Sequence, residues 1–172
     1  MLLRGYQLEM LSRLEQAWTR HRSVMVQMPT GTGKTVLMAE VIRRELSRPA
    51  PSRLAAPRVL VVAHRRELIG QIRETVAALG IDGDGVRVES IQKLTRMTPS
   101  DLGATPSLVI VDEAHHALAR TYRQLWDWWP GAKFLGLTAT PCRLGGEAFT
   151  DLFDEHMGTG QRVGWFLGWL AA

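Results

Sequence analysis

Short apolar runs alternate with amphipathic patterns along most of this chain. Val59–Ala63 (VLVVA) and residues 108–111 (LVIV) are apolar at every position, which is typical of strands buried on both faces of a parallel sheet. Between these runs Leu68, Ile72 and Val76 recur at the spacing of one helix face. Strands that alternate with helices build βαβ units. The sequence therefore predicts an α/β fold in which helices sandwich a parallel sheet.

The other elements are placed by the same patterns. Leu11, Leu14 and Trp18 share a helical face, so we expect a first helix over about 7–20. The chain has 172 residues, which suits a single domain with a sizeable core. We also expect strands at 23–28, 86–89 and 134–137, a helix after the glycine-rich turn at 28–35, and helices at 68–79 and 122–129.

Composition sets weaker limits on partners and compartment. Cys142 is the single cysteine, so an internal disulfide is impossible, as suits a reducing compartment. The 21 Lys and Arg exceed the 17 Asp and Glu, and this net charge of +4 is compatible with a nucleic-acid partner without requiring one. No apolar run reaches the roughly 18 residues of a membrane span. We expect a cytoplasmic protein with no membrane partner.

Residues 28–35 read MPTGTGKT and follow a predicted strand. Gly31 and Gly33 let backbone N–H groups turn toward phosphate oxygens, and the helix that opens near Gly33 adds its positive end. Lys34 can reach the β and γ phosphates, and the Thr35 hydroxyl can bind Mg²⁺. Met28 stands where the general pattern has glycine, so a chance glycine-rich turn is the alternative. The expected nucleotide-binding residues are Pro29, Thr30, Gly31, Thr32, Gly33, Lys34 and Thr35.

Residues 111–116 read VDEAHH and follow the LVIV run directly. Asp112 can hold Mg²⁺ through the water shell of the ion, because this ion dehydrates reluctantly and needs only one or two carboxylates. Glu113 can orient the water that attacks the γ-phosphate. The alternative is an acidic turn at a helix N-terminus, where carboxylates are favoured anyway. We interpret His115 as a polar link from the acidic pair to a neighbouring loop, and His116 as a surface residue.

Three segments carry a family resemblance. MPTGTGKT, VDEAHH and LTATP (137–141), in this order, resemble motifs I, II and III of the superfamily 2 DEAD/DEAH-box helicases. In that family methionine is ordinary at the first position of the loop. The resemblance covers about residues 2–155 and is strongest to the branch of type III restriction enzymes and phage helicases. It implies a RecA-like P-loop fold.

Further segments fit the same family. LRGYQ at 3–7 resembles the adenine-reading segment, VVAHRREL at 61–68 resembles motif Ia, and VESIQKL at 88–94 resembles another nucleic-acid motif. Residues 140–155 resemble the segment that closes the first motor domain. The implied division is an ATP-binding domain at 1–157, followed by a tail at 158–172.

The resemblance also implies roles for individual residues. Lys34, Asp112 and Glu113 would be catalytic, with ATP and Mg²⁺ as cofactors. Gln7 would read the adenine edge, since a side-chain amide both donates and accepts. Contacts to a single nucleic-acid strand, DNA more than RNA, are expected from His64, Arg65, Arg66, Ser90 and Gln92. Coupling of the nucleotide site to that strand is expected from His115, Thr138 and Thr140.

The family works with two motor domains, and the second supplies an arginine to the ATP site. Such an arginine is worth roughly 10³–10⁵ in rate. We therefore expect this chain to bind nucleotide and to hydrolyse it poorly. It would need a second RecA-like domain, which another chain could supply. The alternatives are a non-catalytic nucleotide- or nucleic-acid-binding remnant or regulator, and a P-loop ATPase of another class, against which LTATP argues.

Overall fold

The computed structural model describes residues 3–49, 58–64, 66–78, 80–81, 83–103, 105–114, 120–139 and 153–158. In these ranges six strands form one sheet with the order β3-β2-β4-β5-β1-β6, and every neighbouring pair is parallel. The strands are β1 (Ser23–Gln27), β2 (Val59–Ala63), β3 (Val86–Ser90), β4 (Leu108–Asp112), β5 (Lys133–Thr138) and β6 (Glu155–Gly158).

Helices cover both faces of the sheet. Three pack with the side chains of one face: α1 (Gly5–Ala17), α2 (Lys34–Ser47) and α3 (Arg66–Ala78). Two lie on the other face: the single turn α4 (Ile91–Leu94) and α5 (Arg120–Trp128). Short 3-10 turns at Gly83–Gly85 and Pro99–Leu102 flank β3 and α4. The predicted α/β sandwich is confirmed.

The apolar runs supply both cores because successive strand residues point to opposite faces. In β2, Val59 and Val61 join the core under α1 to α3, while Leu60 and Val62 join the core under α4 and α5. Each such side chain contributes about 1.5–3 kcal/mol when fully buried. No helix within the described ranges has both the length and the apolar character that crossing a membrane requires.

Most predicted boundaries lie within a few residues of those observed, and β2 matches at both ends. Helix α1 ends at Ala17 instead of about residue 20, since the chain turns there and the Thr19 hydroxyl donates to the Gln16 carbonyl at 2.7 Å. Strand β6 was not predicted. It forms beside β1, where the Asp154 carboxylate accepts from the backbone N–H groups of Arg22 and Ser23 at 3.1 and 2.8 Å.

Candidate nucleotide site and adjoining surface

The carboxyl ends of β1, β4 and β5 meet at one rim of the sheet. Gln27 at the end of β1 is in register with Thr138 of β5, and Asp112 at the end of β4 is in register with Leu137. The backbone N–H of Met28 donates to the Thr138 carbonyl at 2.8 Å, which carries the ladder to the start of the glycine-rich loop. Ligands of open α/β sheets bind at such rims.

The loop after β1 is a closed turn that opens into α2. The Thr32 hydroxyl and backbone N–H both donate to the Pro29 carbonyl, at 2.6 and 3.2 Å. Gly31 and Gly33 have φ values of +80° and +84°, which side chains rarely adopt. Gly33 caps α2 and has no side chain to satisfy the first N–H groups of the helix. These groups and the helix dipole favour an anion at this point.

Lys34, the first residue of α2, pairs with the acidic segment after β4. Its Nζ lies 2.8 Å from Oε1 of Glu113, and the two side chains are 16% and 29% exposed. Glu113 has a φ of +51°, in the left-handed region that is uncommon for residues other than glycine. Strained backbone of this kind is concentrated at functional sites. The structure thus brings two of the three predicted catalytic residues into contact.

The segment that precedes the loop in sequence braces it. The Gln7 side chain is buried, and its Nε2 donates to the Thr32 carbonyl at 3.2 Å while its Oε1 accepts from the backbone N–H of Arg4 at 2.9 Å. The Tyr6 hydroxyl donates to the same Thr32 carbonyl at 2.6 Å. A Cβ on Gly33 would lie 2.5 Å from Nε2 of Gln7. Gln7 and Tyr6 therefore hold the loop itself, a contact that sequence reasoning missed.

Asp112 has a tyrosine as an electrostatic neighbour. Tyr122 of α5 is 1% exposed, and burial, followed by the negative charge of Asp112, raises its pKa to about 12. Within the described part of the chain, its hydroxyl has no hydrogen-bond partner. Sequence reasoning placed Tyr122 in a helix without assigning it to the site. An aromatic hydroxyl in the helix that follows the acidic pair was the available signal.

The expected nucleic-acid residues partly assemble at the neighbouring rim positions. Ala63 and Ser90, the last residues of β2 and β3, are in register, and the Gln92 side chain donates from Nε2 to the His64 carbonyl at 2.9 Å. Ser90 is buried, and its Oγ caps α4 by accepting from the Lys93 backbone N–H at 3.2 Å. His64 and Gln92 thus tie the ends of β2 and β3 together.

Several expected contacts fall outside the description. Arg65, His115 and Thr140 lie outside the described residues, as does the tail beyond Gly158. Arg66 begins α3, but its side chain is not described. Thr138 is buried at the end of β5 beside Gln27, next to the loop that it was predicted to couple.

The residues present suit a magnesium triphosphate. Lys34 and the N–H groups at the start of α2 provide positive charge for phosphate oxygens. Thr35 is exposed at the same helix end, and Asp112 is half-buried at the end of β4. Hydroxyl and carboxylate oxygens are the ligands that Mg²⁺ takes, and one or two carboxylates suffice. The chemistry of this donor set fits the predicted ion.

The chain is similar to a defined protein family. The family model described as "Type III restriction enzyme, res subunit" matches residues 1–85 and 82–143. A "51.5 kDa protein" of Lactococcus phage (isolate 7-9) is 32% identical over 143 residues, which are 83% of this chain and 29% of that protein. The "DNA 3'-5' translocase XPB2" of Sulfurisphaera tokodaii is 28% identical over 157 residues, 84% of this chain and 32% of that protein. The chain spans about three tenths of the length of these relatives.

Solved structures share the fold. The UvsW helicase from bacteriophage T4 superposes with a TM-score of 0.71 at 14% sequence identity. The match covers 92% of this chain and 60% of the UvsW chain. At this level of identity the likeness concerns the arrangement of strands and helices.

Proposed function

This chain belongs to the type III restriction enzyme res subunit family, as the N-terminal RecA-like domain of a superfamily 2 helicase, and from that premise we propose that it binds Mg-ATP between its phosphate loop and its acidic pair. The proposed activity is that of a nucleic-acid-dependent ATPase motor domain. The observation that carries it is the 2.8 Å contact between Lys34 and Glu113, which joins the two segments across 79 residues of sequence.

Nucleotide binding would exchange one anion for another at Lys34. The Glu113 carboxylate neutralises the ammonium group of Lys34. In the proposed complex Lys34 turns to the β and γ phosphates, together with the N–H groups at the start of α2. Glu113 is then released to orient the attacking water. Thr35 and Asp112 would hold Mg²⁺, which supplies neutralisation of the phosphate charge.

The strand-binding surface is proposed for the rim beside the nucleotide site. His64 and Gln92 connect the ends of β2 and β3 there, one strand away from Asp112 on β4. A nucleic-acid strand at this rim and a nucleotide at the phosphate loop would both lie on the same parallel sheet. Thr138 on β5 lies next to the loop. DNA is favoured over RNA because the name of the S. tokodaii relative describes a DNA translocase.

Efficient hydrolysis is proposed to need a second RecA-like domain. The curated relatives are about three times longer than this chain, so their whole activity involves sequence that this chain does not align with. An arginine supplied across the cleft from such a domain would raise the rate by roughly 10³–10⁵. Without such an arginine, the site formed by Lys34 and Glu113 is expected to bind nucleotide with little turnover.

A titration with a fluorescent ATP analogue tests the proposal. The parent chain is expected to bind it in the presence of Mg²⁺, and Lys34→Ala is expected to lose that binding. Arg20→Ala serves as the control, because Arg20 is an exposed cation before the amino end of β1, at the opposite rim. Equal binding by Lys34→Ala and the parent would refute the proposed site.

A second measurement separates a motor domain from a non-catalytic binding module. If the chain is a motor domain, single-stranded nucleic acid is expected to stimulate its ATP hydrolysis. Glu113→Gln is expected to abolish that hydrolysis. If the chain binds ATP and yet shows no stimulated hydrolysis when a second RecA-like domain is supplied, the chain is a binding module and the ATPase assignment is wrong.

A further inference from the structure

The Tyr122 hydroxyl is a buried polar group to which the proposed nucleotide site gives no role. Tyr122 lies in the first turn of α5 and is 1% exposed. Within the part of the chain that the structure describes, its hydroxyl has no hydrogen-bond partner. Because nearly all buried polar groups in proteins are hydrogen-bonded, an unpartnered hydroxyl calls for a physical explanation.

Phenylalanine would fill the space of Tyr122 without placing a hydroxyl in the core. The ring of Tyr122 belongs to the core under α4 and α5, so the aromatic packing does not depend on the oxygen. A hydroxyl that loses its bonds to water and gains none in the protein is destabilising. Stability therefore does not account for the hydroxyl, and a role in the chemistry of the site would.

A second unpartnered donor on the same helix has a different origin. Nε1 of Trp126, one turn further along α5, also lacks a partner among the described residues. The Trp126 ring stacks on Phe134 at a centroid distance of 4.0 Å and meets Phe153 edge-on at 5.3 Å. An indole N–H comes with the large ring that makes these contacts. Tyr122 has no comparable packing reason for its polar atom.

The acidic pair adjoins this part of the core. Val111 and Ala114, which flank the acidic pair in sequence, are fully buried in the same core as Tyr122. Burial, followed by the negative charge of Asp112, raises the pKa of Tyr122 to about 12. The phenol therefore keeps its proton at neutral pH and can donate it in a hydrogen bond, whereas an ionised carboxylate can only accept.

We propose that Tyr122 is a positioning residue for Asp112: its hydroxyl donates a hydrogen bond to the Asp112 carboxylate and fixes the direction of the carboxylate oxygens toward the ion of Mg-ATP. This role rests on the proposed function, in which Asp112 helps to hold Mg²⁺. A hydrogen bond to an ionised acceptor is stronger than one between neutral groups. Such bonds orient the groups that bind a metal ion and raise their affinity for it. Tyr122 would act through Asp112 and would not touch the nucleotide itself.

The first test measures how binding of the fluorescent ATP analogue depends on Mg²⁺. In Tyr122→Phe the Mg²⁺ concentration that gives half-maximal binding should rise about tenfold, the effect of losing a bond that orients a metal ligand. Binding measured in EDTA should be the same as in the parent. The variant should melt at the temperature of the parent or higher, so a loss of folding would not explain the result.

Trp126→Phe is the matched control. It removes the other unpartnered donor of α5, one helical turn from Tyr122. It should leave the Mg²⁺ dependence unchanged, even though the loss of ring contacts with Phe134 lowers its melting temperature. An equal change of the Mg²⁺ dependence in both variants would contradict a specific role of the Tyr122 hydroxyl.

A double-variant cycle tests whether the effect passes through Asp112. Asp112→Ala removes the proposed acceptor, so adding Tyr122→Phe to it should change the Mg²⁺ dependence by less than about twofold. The same loss from Tyr122→Phe with and without the Asp112 carboxylate would overturn the proposal, because the hydroxyl would then act on another group.

Fluorine NMR gives a readout in the chain with both groups intact. The sequence has two tyrosines, Tyr6 and Tyr122, so labelling with 3-fluorotyrosine gives two signals, which Tyr122→Phe assigns. Tyr6 donates to the Thr32 carbonyl of the phosphate loop and should report the nucleotide with or without Mg²⁺. The Tyr122 signal should move when Mg²⁺ and the nucleotide are added together and stay in place with the nucleotide in EDTA.

The outcomes separate this inference from the proposed function. If the parent binds no ATP analogue at any Mg²⁺ concentration, the proposed function fails. If the parent binds it and Tyr122→Phe keeps the Mg²⁺ dependence of the parent, the positioning role is overturned. A Tyr122 fluorine signal that does not respond to Mg²⁺ with the nucleotide would overturn it as well. So would a Tyr122→Phe variant that melts at a lower temperature with unchanged Mg²⁺ dependence, since the hydroxyl would then be a structural group.

Discussion

The Nζ of Lys34 and the Oε1 of Glu113 lie 2.8 Å apart and join the phosphate loop to the acidic pair. The two groups neutralise each other's charge. In the proposed nucleotide complex, a phosphate that binds Lys34 would compete with this internal carboxylate. Under the proposed function, Glu113 would consequently compete with the nucleotide during binding and orient water after it.

The first prediction concerns this competition. Glu113→Gln removes a negative charge beside Lys34, so nucleotide affinity should rise by up to about fivefold, the equivalent of about 1 kcal/mol for a partly exposed pair. Hydrolysis, measured with a second RecA-like domain supplied, should fall by at least about 10². Fluorescent-analogue titration measures the affinity. Glu9→Gln, an exposed change on α1, should alter neither quantity. Weaker nucleotide binding by Glu113→Gln would contradict the competition.

The second prediction isolates the contact between Gln7 and the loop. Gly33→Ala should destabilise the fold by about 2–4 kcal/mol, because alanine is strained at a φ of +84° and its Cβ would lie 2.5 Å from Nε2 of Gln7. Gly31→Ala is the matched control. It has a similar φ of +80° with nothing within 4 Å, and should cost about 1–2 kcal/mol. Urea denaturation gives the free energy of unfolding of both variants. Equal destabilisation by the two substitutions would show that the contact with Gln7 contributes nothing to stability.

The third prediction is a pH dependence on α2. Glu40 accepts from Arg43 and from Arg44, and the hydrogen bond from Arg43, with a smaller contribution from Arg44, lowers its pKa from 4.5 to about 2. The folded pKa is depressed, so the stabilisation is fully present above pH 4.5 and is lost as the pH falls toward 2.

The measurement for Glu40 compares the parent with Glu40→Gln. At pH 7 the variant should be less stable by about 0.5 kcal/mol, the scale of a favourable i,i+4 pair such as Glu40 with Arg44. The difference between the two urea midpoints should shrink between pH 4.5 and 2, because the variant does not titrate at this position. A difference that stays constant over that window would refute the assignment.

The fourth prediction concerns Tyr122. Its pKa of about 12 keeps the hydroxyl protonated at every pH at which the protein is studied, and among the described residues the hydroxyl has no hydrogen-bond partner. A buried polar group without a partner costs about 1–3 kcal/mol. Tyr122→Phe should therefore leave the free energy of unfolding unchanged or raise it by up to about 1 kcal/mol. A decrease in the free energy of unfolding would contradict this prediction and would show that the hydroxyl has a bonding partner.

Much of the fold follows from local sequence patterns, because the strands are buried on both faces. The run at β2 has no polar position, so its burial and limits could be predicted from its own residues. Strand β6 could not be predicted in this way. The segment EHMG has no apolar run, and it becomes a strand through β1 and through the bonds of Asp154 to Arg22 and Ser23, more than 130 residues away in sequence.

The candidate site shows the same division. The position of Lys34 near the acidic pair could be expected, since parallel strands end at a common rim. The brace formed by Gln7 and Tyr6 on the Thr32 carbonyl depends on how α1 packs beside the loop, which periodicity does not specify. The neighbourhood of Tyr122 and Asp112 likewise arises where α5 returns to the sheet. The roles of Gln7 in adenine recognition and of Ser90 and Gln92 in strand contacts stay predictions.

Strand β1 lies inside the sheet, between β5 and β6, although it comes first in the chain. Gln27, the residue at the root of the phosphate loop, is in register with Thr138 on one side and Gly158 on the other. An edge strand could fray and absorb a movement of the loop, but an interior strand cannot move without its neighbours. In the proposed nucleotide complex, a movement of the phosphate loop would therefore be passed to β5 and β6 at the same time.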